Sequence, residues 1–457
     1  MFNRYRVIHF VGIGGIGMSG IAQVLNDLGY EVRGSDIKDS ATVEKLRASG
    51  VTVIIGHKAK NIANAHVVVV TSAVNMDNPE VEEAKRRAIP VIPRAEMLAE
   101  LGRLKYTVLV AGSHGKTTTS SLIATVLIDS GYFDPTVVLG GKLNETNSNS
   151  RVGKGNYLVA EADESDGSFL KLNPTVAVCT NIDREHMDYF STMEKLKGAF
   201  VDFLNKVPFY GVGVVCTDDP NIREILPRIN RRYITYGLDG DAQYTAKNID
   251  YGFMRSCFDL CKNGQFIKKV EIHLAGSHNV LNSLATIAAA ESLGVKIEST
   301  AASLGAFSGI KRRMEYKGTW RGVAVYDDYG HHPTELEATI GGIKNHVANR
   351  LIVAFQPHRY TRTRDLMDKF ASSFSGVGKL FLLDIYAAGE PPIEGISSEA
   401  LCKRLRENAV DVVYCESQEA AIAKIGQTVQ EGDVLVTFGA GDVWKMAEDI
   451  IKRGADR

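Results

Sequence analysis

The repeated alternation of short, continuous apolar runs with segments of helical period most constrains how this chain folds. Such runs occupy residues 7–11, 107–111, 212–216, 351–355 and 434–438, and longer segments with helical spacing of apolar residues follow them. Short apolar strands separated by helices are typical of parallel sheets whose strands are joined by right-handed crossovers. The sequence therefore predicts an α/β fold.

Changes in this pattern divide the chain into three domains. Pro90 and Pro93 lie shortly before a new strand that begins at Tyr106, and the α/β pattern restarts near Gly318. In between, residues 244–274 have the pattern of alternating strands with a turn at 262–264, which predicts an antiparallel insertion. A length of 457 residues fits two to four domains of roughly 100 to 200 residues each. We predict three α/β domains at residues 1–105, 106–317 and 318–457.

The charge balance limits the partners that the chain can bind. The sequence has 53 Lys and Arg residues against 54 Asp and Glu residues, for a formal net charge of -1. Binding nucleic acid over a broad surface requires an excess of basic residues, so we expect no nucleic-acid partner. The charge balance does not exclude local phosphate-binding sites. The six cysteines are scattered and form no CxxC pair, which predicts a reducing, cytoplasmic location. The sequence has no apolar run of about 18 residues, so we expect no membrane insertion.

The sharpest local motif is a glycine-containing loop at residues 112–117, between a strand and a helix that runs through Ile128. A phosphate-binding loop needs glycines so that backbone N–H groups can close on the oxygens, a lysine for the outer phosphates and a hydroxyl that ligates magnesium. Gly115, Lys116 and Thr117 supply these groups. The first glycine of the longer pattern would fall at Val110, so this loop is a shortened variant.

A second glycine-rich loop, Gly12-Ile13-Gly14-Gly15-Ile16-Gly17, follows the first strand and fits G-x-G-x-x-G. Asp36 follows the next strand, where an acid that binds a ribose is expected. This pattern predicts a diphosphate site at a helix N-terminus. Both a dinucleotide and a nucleotide-sugar diphosphate satisfy it, and nothing in it selects nicotinamide.

Acidic residues and a histidine follow two further strands of the central domain. Residues 161–166 carry four carboxylates in six positions, and His186 lies in the segment 181–188. Magnesium bound to ATP takes hard oxygen ligands, and Thr117 with one of these acids meets that requirement. His186 is either a further functional group or a structural hydrogen-bonding residue.

The third domain carries two polar segments that also follow strands. Residues 327–335 contain two adjacent acids and two adjacent histidines, with a helix expected to begin at Pro333. Residues 356–364 place Arg359 and Arg362 three positions apart, on one helical face if a helix begins there. Arginine side chains bind carboxylate or phosphate through two parallel hydrogen bonds, which predicts an acidic ligand.

Nine collinear motifs resemble those of the Mur ligase family. They are GIGGIGMSGIA at 12–22, TSAV at 71–74, IPRAEML at 92–98, GSHGKTTT at 112–119, EADESDGSFL at 161–170, TNIDREHMDYF at 180–190, GSHNVLNSLA at 276–285, DDYGHHPTE at 327–335 and QPHRYTRTRDL at 356–366. The resemblance covers nearly the whole chain. It implies a Rossmann-like N-terminal domain for a UDP-sugar, a central P-loop ATPase-type domain for ATP and magnesium, and a Rossmann-like C-terminal domain that closes over the cleft and presents an amino acid.

The resemblance also implies roles for individual residues. Lys116 would contact the γ-phosphate, Thr117 and Glu161 would ligate one Mg²⁺, and His186 would ligate a second. The remaining expected ATP contacts are Gly112, Ser113, His114, Gly115, Thr118, His278, Asn279, Arg313 and Asp328. The expected contacts with the UDP-sugar are Gly14, Gly15, Ile16, Asp36, Ser72, Arg94 and His114. The residues expected at the amino-acid end are His358, Arg359 and Arg362.

Within the family, the resemblance implies the member that joins L-alanine to the lactyl carboxylate of UDP-N-acetylmuramate through an acyl phosphate, in peptidoglycan precursor synthesis, as a monomer or homodimer. One alternative is a recycling ligase that adds a tripeptide to the same UDP-sugar. Alternatives from other classes are a nicotinamide-dependent oxidoreductase built on the first loop and a non-catalytic nucleotide-binding module. The second phosphate loop and the acidic cluster disfavour the oxidoreductase, and Lys116, Glu161 and His186 together disfavour the module.

Overall fold

A computed structural model describes residues 6–71, 74–103, 105–142 and 148–455. The N-terminal strands and helices are β1 (Val7–Val11), α1 (Ile16–Asp27), β2 (Glu31–Asp36), α2 (Ala41–Ala48), β3 (Thr52–Ile55), β4 (Val67–Val70), α3 (Pro79–Arg86), β5 (Val91–Pro93) and α4 (Arg94–Gly102). The strands form a parallel sheet in the order β3-β2-β1-β4-β5. Strand order reverses at β1, so the segments after β1 and β4 flank the crevice where such sheets bind ligands. This sheet confirms the predicted Rossmann-like architecture.

The central part of the chain forms a sheet of ten strands. Its elements are β6 (Tyr106–Ala111), α5 (Lys116–Asp129), β7 (Thr136–Val138), β8 (Ser150–Arg151), β9 (Tyr157–Glu161), β10 (Val176–Cys179), α6 (Met187–Phe190), α7 (Met193–Asn205), β11 (Val212–Cys216), α8 (Pro220–Ile225), β12 (Tyr233–Gly237), β13 (Tyr244–Gly252), β14 (Arg255–Lys262), β15 (Gln265–Ile272), α9 (Ser277–Ser292) and α10 (Ile297–Ala306). The strand order is β15-β14-β13-β12-β11-β10-β6-β9-β7-β8.

Most neighbours in this sheet are parallel, and β7 with β8 is antiparallel. Two-residue turns join β13, β14 and β15, which confirms the expected antiparallel insertion. Asn263 and Gly264 have φ values of 49° and 79°, as the predicted tight hairpin turn requires. Strands β7, β8 and β12 were not predicted from the sequence.

The C-terminal part forms a third sheet. Its elements are β16 (Glu315–Trp320), β17 (Val323–Asp328), α11 (Pro333–Ile343), β18 (Leu351–Phe355), α12 (Tyr360–Asp365), α13 (Met367–Ser372), β19 (Lys379–Leu382), α14 (Ser398–Glu407), β20 (Val412–Tyr414), α15 (Gln418–Thr428), β21 (Val434–Phe438) and α16 (Trp444–Ala455). The order is β16-β17-β21-β18-β19-β20, with β16 antiparallel to β17 and the other pairs parallel. The division expected between residues 317 and 318 falls inside β16.

The chain divides into two compact units. One contains residues 1–247, 259–270 and 281–307, and the other contains residues 248–258, 271–280 and 308–457. In the second unit, apolar side chains fill both faces of the C-terminal sheet, with Phe355, Phe438 and Leu336 on one face and Ile352, Leu435 and Met446 on the other. Burial on both faces explains the continuous apolar runs in the sequence. No helix in the described part of the chain is long and apolar enough to cross a membrane.

Candidate active site

The loop between β6 and α5 has a backbone conformation that requires glycine at two positions. Gly112 has a φ of 131° and Gly115 a φ of 82°, values that L side chains rarely adopt. A Cβ added to Gly112 would collide with Thr180 Oγ1, and one added to Gly115 would lie 2.6 Å from Asn282 Oδ1. These two glycines therefore allow the loop to pack closely against the segment after β10 and against α9.

Polar groups after β10 hold the same loop in place. The amides of Ser113 and His114 donate to the carbonyl and the side-chain oxygen of Asn181, at 3.0 and 2.8 Å. The amide of Asp183 donates to Ser113 Oγ at 2.8 Å, and His114 Nε2 lies 3.2 Å from Asp183 Oδ2. The amides of Ser113 and His114 are thus engaged within the protein. The N–H groups left for an anion are those of the first turn of α5, which begins at Lys116 and includes Thr117 and Thr118.

Lys116 is held by three oxygen acceptors. Its Nζ donates to the carbonyls of Gly112 and Ser113 at 2.6 and 3.1 Å and to Glu164 Oε1 at 2.8 Å. Burial alone would lower the pKa of Lys116, but the charges of Glu164 and Asp163 raise it above its ordinary value. The ammonium group is therefore charged at neutral pH and is held against the backbone of the loop.

The acidic segment after β9 and the histidine after β10 come together near this lysine. Glu164, Glu185 and His186 each offer a ligand atom, and these atoms lie within 4.8 Å of one another. Glu164 is buried, and its Oε2 has no hydrogen-bond partner among the described residues. A buried, unsatisfied carboxylate oxygen beside a second carboxylate and an imidazole is a donor set that suits a divalent cation.

Glu161 lies at the carboxyl end of β9, paired in register with Val110 of β6. Its Oε1 accepts from the amide of Gly140 at 2.6 Å and lies 3.5 Å from Ser120 Oγ in the first turns of α5. Thr117 is one turn earlier on the same helix. Glu161 thus borders the helix that carries Thr117, and the shared metal ligation by these two residues stays a prediction.

The first glycine-rich loop is arranged around Asp36 and Arg94. Gly14 donates its amide to Asp36 Oδ2 at 2.8 Å, and Gly15 is the N-cap of α1, whose first residue is Ile16. A Cβ on Gly17 would lie 2.8 Å from Arg94 Nη1, so a larger residue would displace this guanidinium. Ser72, the remaining expected contact with the UDP-sugar, lies outside the described residues.

Arg94 also connects the first loop to the acidic segment of the central sheet. Its Nη2 lies 3.3 Å from Asp163 Oδ2. Burial opposes ionisation of Asp163, but the charges of Lys116 and Arg94 lower its pKa below the ordinary value. The ionised carboxylate of Asp163 therefore lies between Arg94, beside the first loop, and Lys116 of the second loop.

In the second unit, the half-buried side chains of His278 and Arg313 lie near the buried Asp328. Burial and the charge of Arg313 lower the pKa of His278 to about 4, so the imidazole is neutral, and Asn279 Nδ2 donates to its Nε2 at 3.0 Å. Asp328 accepts from the amides of Met314 and Gly330, and burial raises its pKa to about 6. The guanidinium of Arg313 lies over the ring of Tyr329. These residues lie in one unit, and their role in nucleotide binding stays a prediction.

His358, Arg359 and Arg362 follow β18 in the same unit. His358 stacks on Tyr386 with ring centroids 5.6 Å apart, and its Nδ1 lies 3.2 Å from Arg362 Nη1. Both arginines would share a helical face only if one helix included them, and this condition is not met. Helix α12 begins at Tyr360, and Arg359 is its N-cap with a φ of 72°, held by donation of its amide to Tyr386 O and by an ion pair with Glu390 at 3.8 Å.

Several groups at these sites were not singled out from the sequence. Asn181, Asp183, Glu164 and Glu185 lie in segments whose position after a strand did mark them for inspection. Tyr386 and Glu390 carried no comparable signal, because each is brought to its site by a segment distant in sequence, and Asn282 was noted only as part of the motif at 276–285. For these three residues, only the packing of the chain identifies the role.

Three family models match consecutive parts of the chain. They are "Mur ligase family, catalytic domain" at residues 7–106, "Mur ligase middle domain" at 110–290 and "Mur ligase, glutamate ligase domain" at 312–441. The chain belongs to the Mur ligase family. Mur ligases depend on ATP, which agrees with the phosphate loop at Lys116.

Individual relatives resemble this Mur ligase over its full length. A UDP-N-acetylmuramate--L-alanine ligase of Syntrophotalea carbinolica is 49% identical over 449 residues, covering 98% of each chain. The crystal structure of a UDP-N-acetylmuramate-alanine ligase from Thermotoga maritima has a TM-score of 0.85 at 27% identity, covering 98% of this Mur ligase and 99% of that chain. A murein peptide ligase from Psychrobacter arcticus has the same fold, with a TM-score of 0.73 at 24% identity and 99% coverage of both chains.

Proposed function

We propose that this Mur ligase joins L-alanine to the lactyl carboxylate of UDP-N-acetylmuramate, with hydrolysis of ATP to ADP and phosphate. The observation that carries the proposal is the 49% identity, over 98% of both chains, to a ligase named for these two substrates. The runner-up, ligation of a tripeptide to the same UDP-sugar, is less well supported because two solved ligases of that kind are 24% and 28% identical to this chain, against 49% for the ligase named for L-alanine.

The reaction needs ATP because a carboxylate is anionic and lacks a good leaving group. Transfer of the γ-phosphoryl group from ATP to the lactyl carboxylate gives an acyl phosphate and ADP. The alanine amine then attacks the acyl carbon, and the tetrahedral adduct loses phosphate and a proton to give the amide. Catalysis of the first step consists mainly of positioning and of neutralising charge on the transferred phosphoryl group.

Lys116 is the residue best suited to neutralise that charge. It is charged, and its three acceptors hold Nζ in one place before ATP arrives. A fixed cation needs no reorganisation as charge develops in the transition state, which is the condition for strong electrostatic catalysis. When the γ-phosphate binds, we propose that Nζ exchanges the carbonyls of Gly112 and Ser113 for phosphate oxygens. Glu164 remains as the carboxylate that orients it.

Magnesium fits the residues beside Lys116. Glu164, Glu185 and His186 would hold one ion, since the buried Glu164 Oε2 has no hydrogen-bond partner among the described residues. Glu161 and Thr117 would hold another. Bound Mg²⁺ would supply positive charge that screens the phosphate oxygens.

Substrate positions are proposed for the other site residues. Gly14, Gly15 and Ile16 at the start of α1 would seat the diphosphate of the UDP-sugar, with Asp36, Ser72, Arg94 and His114 as further contacts. His278, Asn279, Arg313 and Asp328 would bind the nucleotide. His358, Arg359 and Arg362 would bind the carboxylate end of alanine, for which two guanidinium groups are chemically suited.

Domain limits and compartment are also proposals. We propose three functional domains at residues 1–105, 106–317 and 318–457, and the matched family ranges support this division. Since β16 pairs with β17, the last limit is better placed before residue 315. All six cysteines are free and buried, which supports a reducing compartment and hence the cytoplasm.

A phosphate-release assay tests the function. The enzyme is given ATP, Mg²⁺ and UDP-N-acetylmuramate with L-alanine, glycine, L-serine or the tripeptide as the amine. We expect the highest kcat/KM with L-alanine. Release with the tripeptide and none with L-alanine would assign the recycling reaction instead. Release with none of the amines would contradict the ligase activity.

A further inference from the structure

The edge of the central sheet opposite the phosphate loop carries exposed aromatic side chains. Strands β7, β9, β6, β10, β11 and β12 are parallel neighbours, so their amino ends lie along one edge, whereas the phosphate loop follows the carboxyl end of β6. Along the amino edge, Phe209 is 91% exposed, Tyr132 65%, Tyr210 59% and Tyr106 47%. Exposed aromatic residues of this number at one edge mark an interaction surface.

These aromatic rings contact one another in a continuous row. Phe209 packs edge-on against Tyr210 at a centroid distance of 5.2 Å, and Tyr210 against Tyr106 at 6.4 Å. Tyr106 continues to Tyr157 at 5.5 Å. Tyr157 then meets Phe133 at 4.9 Å, and Phe133 meets Tyr132 at 4.6 Å. We call these six side chains the aromatic edge.

The segments that carry the aromatic edge, together with the start of the neighbouring strand β12, are strongly basic. Residues 103–106, 131–135, 151–157, 206–210 and 230–233 contain seven Lys and Arg residues and one acidic residue, Asp134, although the whole chain has a net charge of -1. Arg103 and Arg151 are paired with Glu100 and Asp134. Lys154, Lys206, Arg231 and Arg232 are all exposed. The row of rings therefore lies among exposed positive charges.

We propose that the aromatic edge docks this protein peripherally on an anionic lipid surface. Exposed lysine and arginine side chains are attracted to anionic headgroups, while tyrosine and phenylalanine rings favour the boundary between headgroups and acyl chains. Docking through this edge leaves the carboxyl ends of the strands, and hence the phosphate loop, facing water. The inference is independent of which amine the enzyme uses.

Other occupants fit the surface less well. Single-stranded nucleic acid stacks on free ring faces, but the rings here pack edge-on or tilted against one another, at interplanar angles of 86° for Tyr106 with Tyr210 and 88° for Phe209 with Tyr210. A second copy of the chain bound through the same edge would bring like charges together. An anionic lipid surface satisfies both the charge and the exposed rings.

Vesicle flotation with the full-length chain tests the proposal. We expect the protein to float with vesicles of equal parts phosphatidylglycerol and phosphatidylcholine, to bind phosphatidylcholine vesicles weakly, and to dissociate as salt is raised. The double variant Phe209→Ser/Tyr210→Ser should lose at least about tenfold in vesicle affinity, since it removes two apolar contacts. Arg231→Glu/Arg232→Glu should lose at least about tenfold through charge.

The matched control is Phe266→Ser, which removes a 61% exposed ring from β15 in the hairpin insertion. It should bind vesicles like the unchanged protein, and all the variants should keep their phosphate-release rate in vesicle-free buffer. Equal binding to both vesicle types, or full binding by either double variant, would overturn the proposal. So would binding of single-stranded RNA, or a dimer lost in Phe209→Ser, without vesicle binding.

Discussion

The surroundings of Lys116 and of His358 are both buried polar clusters, yet they set opposite charge states. Lys116 has Glu164 and Asp163 as neighbours, and their negative charges overcome the cost of burial, so the lysine stays protonated. His358 has Arg362 and Arg359 as neighbours, and burial together with these positive charges lowers its pKa to about 4. Burial favours the neutral form of both groups; negative neighbours overcome it at Lys116, and positive neighbours add to it at His358.

The difference matches the chemistry proposed for each cluster. A phosphoryl group in transfer carries several negative charges and is stabilised by a fixed cation such as Lys116. The amine of alanine must instead be neutral to attack. A cluster in which His331 and His358 have pKa values of about 3 and about 4 adds no protonated imidazole at neutral pH. The guanidinium groups of Arg359 and Arg362 then supply the positive charge there.

Removal of the lysine should have the largest effect. We expect Lys116→Ala to lower kcat/KM by at least about a thousandfold, because the fixed cation at the phosphate loop is lost. Glu164 can take up a proton once its partner is gone, which limits the loss of stability. Phosphate release and circular dichroism check activity and folding. Lys195→Ala, at an exposed position on α7, should behave like the unchanged enzyme, and near-normal turnover of Lys116→Ala would contradict the role of the loop.

A change in loop geometry should have the next largest effect. Gly112→Ala places a Cβ against Thr180 Oγ1 at a φ of 131°, so we expect a loss of about 3 kcal/mol in the free energy of unfolding and of at least about a hundredfold in turnover. Gly131→Ala is the matched control, since Gly131 also has a positive φ but nothing within 4 Å of the added Cβ. It should cost only about 1 kcal/mol and little activity. Equal effects in urea unfolding would refute the steric explanation.

Removal of Arg94, which forms a partly exposed ion pair with Asp163, should have an effect of intermediate size. We expect Arg94→Ala to raise KM for the UDP-sugar about tenfold, because a cation beside the first loop is removed, and to change KM for ATP less than twofold. Stability should change by less than about 1 kcal/mol, as for other exposed pairs. Initial-rate kinetics with each substrate varied measures both constants, with the exposed Arg86→Ala as control. A larger change for ATP than for the UDP-sugar would assign Arg94 to the other ligand.

The smallest expected effect is a pH dependence of stability from the second-unit histidines. His358 has a folded-state pKa near 4 against an ordinary value of 6.5, so its contribution to stability is full above 6.5 and is lost as pH falls toward 4. Urea unfolding at pH 7 and pH 5.5 should differ by about 1 kcal/mol for this group, and His358→Gln should reduce the difference. Lys195→Ala, at an exposed position on α7, should leave the difference unchanged. An undiminished difference in His358→Gln would show that this histidine is not held neutral.

The sequence predicted the elements whose residues carry a local signal. Strands such as β1, β11, β18 and β21 were predicted with the bounds that the structure has, because burial on both faces requires a continuous apolar run. The phosphate loop was recognised because its glycines and lysine are adjacent in sequence. Family membership followed from nine motifs in the same order.

The rest depends on contacts between distant segments. Asn282 reaches the phosphate loop from α9, and Glu390 reaches Arg359 from beyond β19, so neither could be assigned from local pattern. The spacing of Arg359 from Arg362 puts both on one helical face only if a helix begins there. The amide of Arg359 instead donates to Tyr386 O, and this contact holds the residue outside α12 at a positive φ. Tertiary hydrogen bonding overrode the helical periodicity.

The most direct test of the central claim, that Lys116 serves ATP while the first loop serves the UDP-sugar, is calorimetric binding of both ligands to two variants. A non-hydrolysable ATP analogue with Mg²⁺ and UDP-N-acetylmuramate are titrated separately into the unchanged enzyme, Lys116→Ala and Arg94→Ala. We predict that Lys116→Ala weakens binding of the ATP analogue at least about tenfold and changes UDP-N-acetylmuramate binding less than twofold, with the reverse for Arg94→Ala. Normal binding of the ATP analogue by Lys116→Ala, or weakening of the same ligand in both variants, would contradict the account.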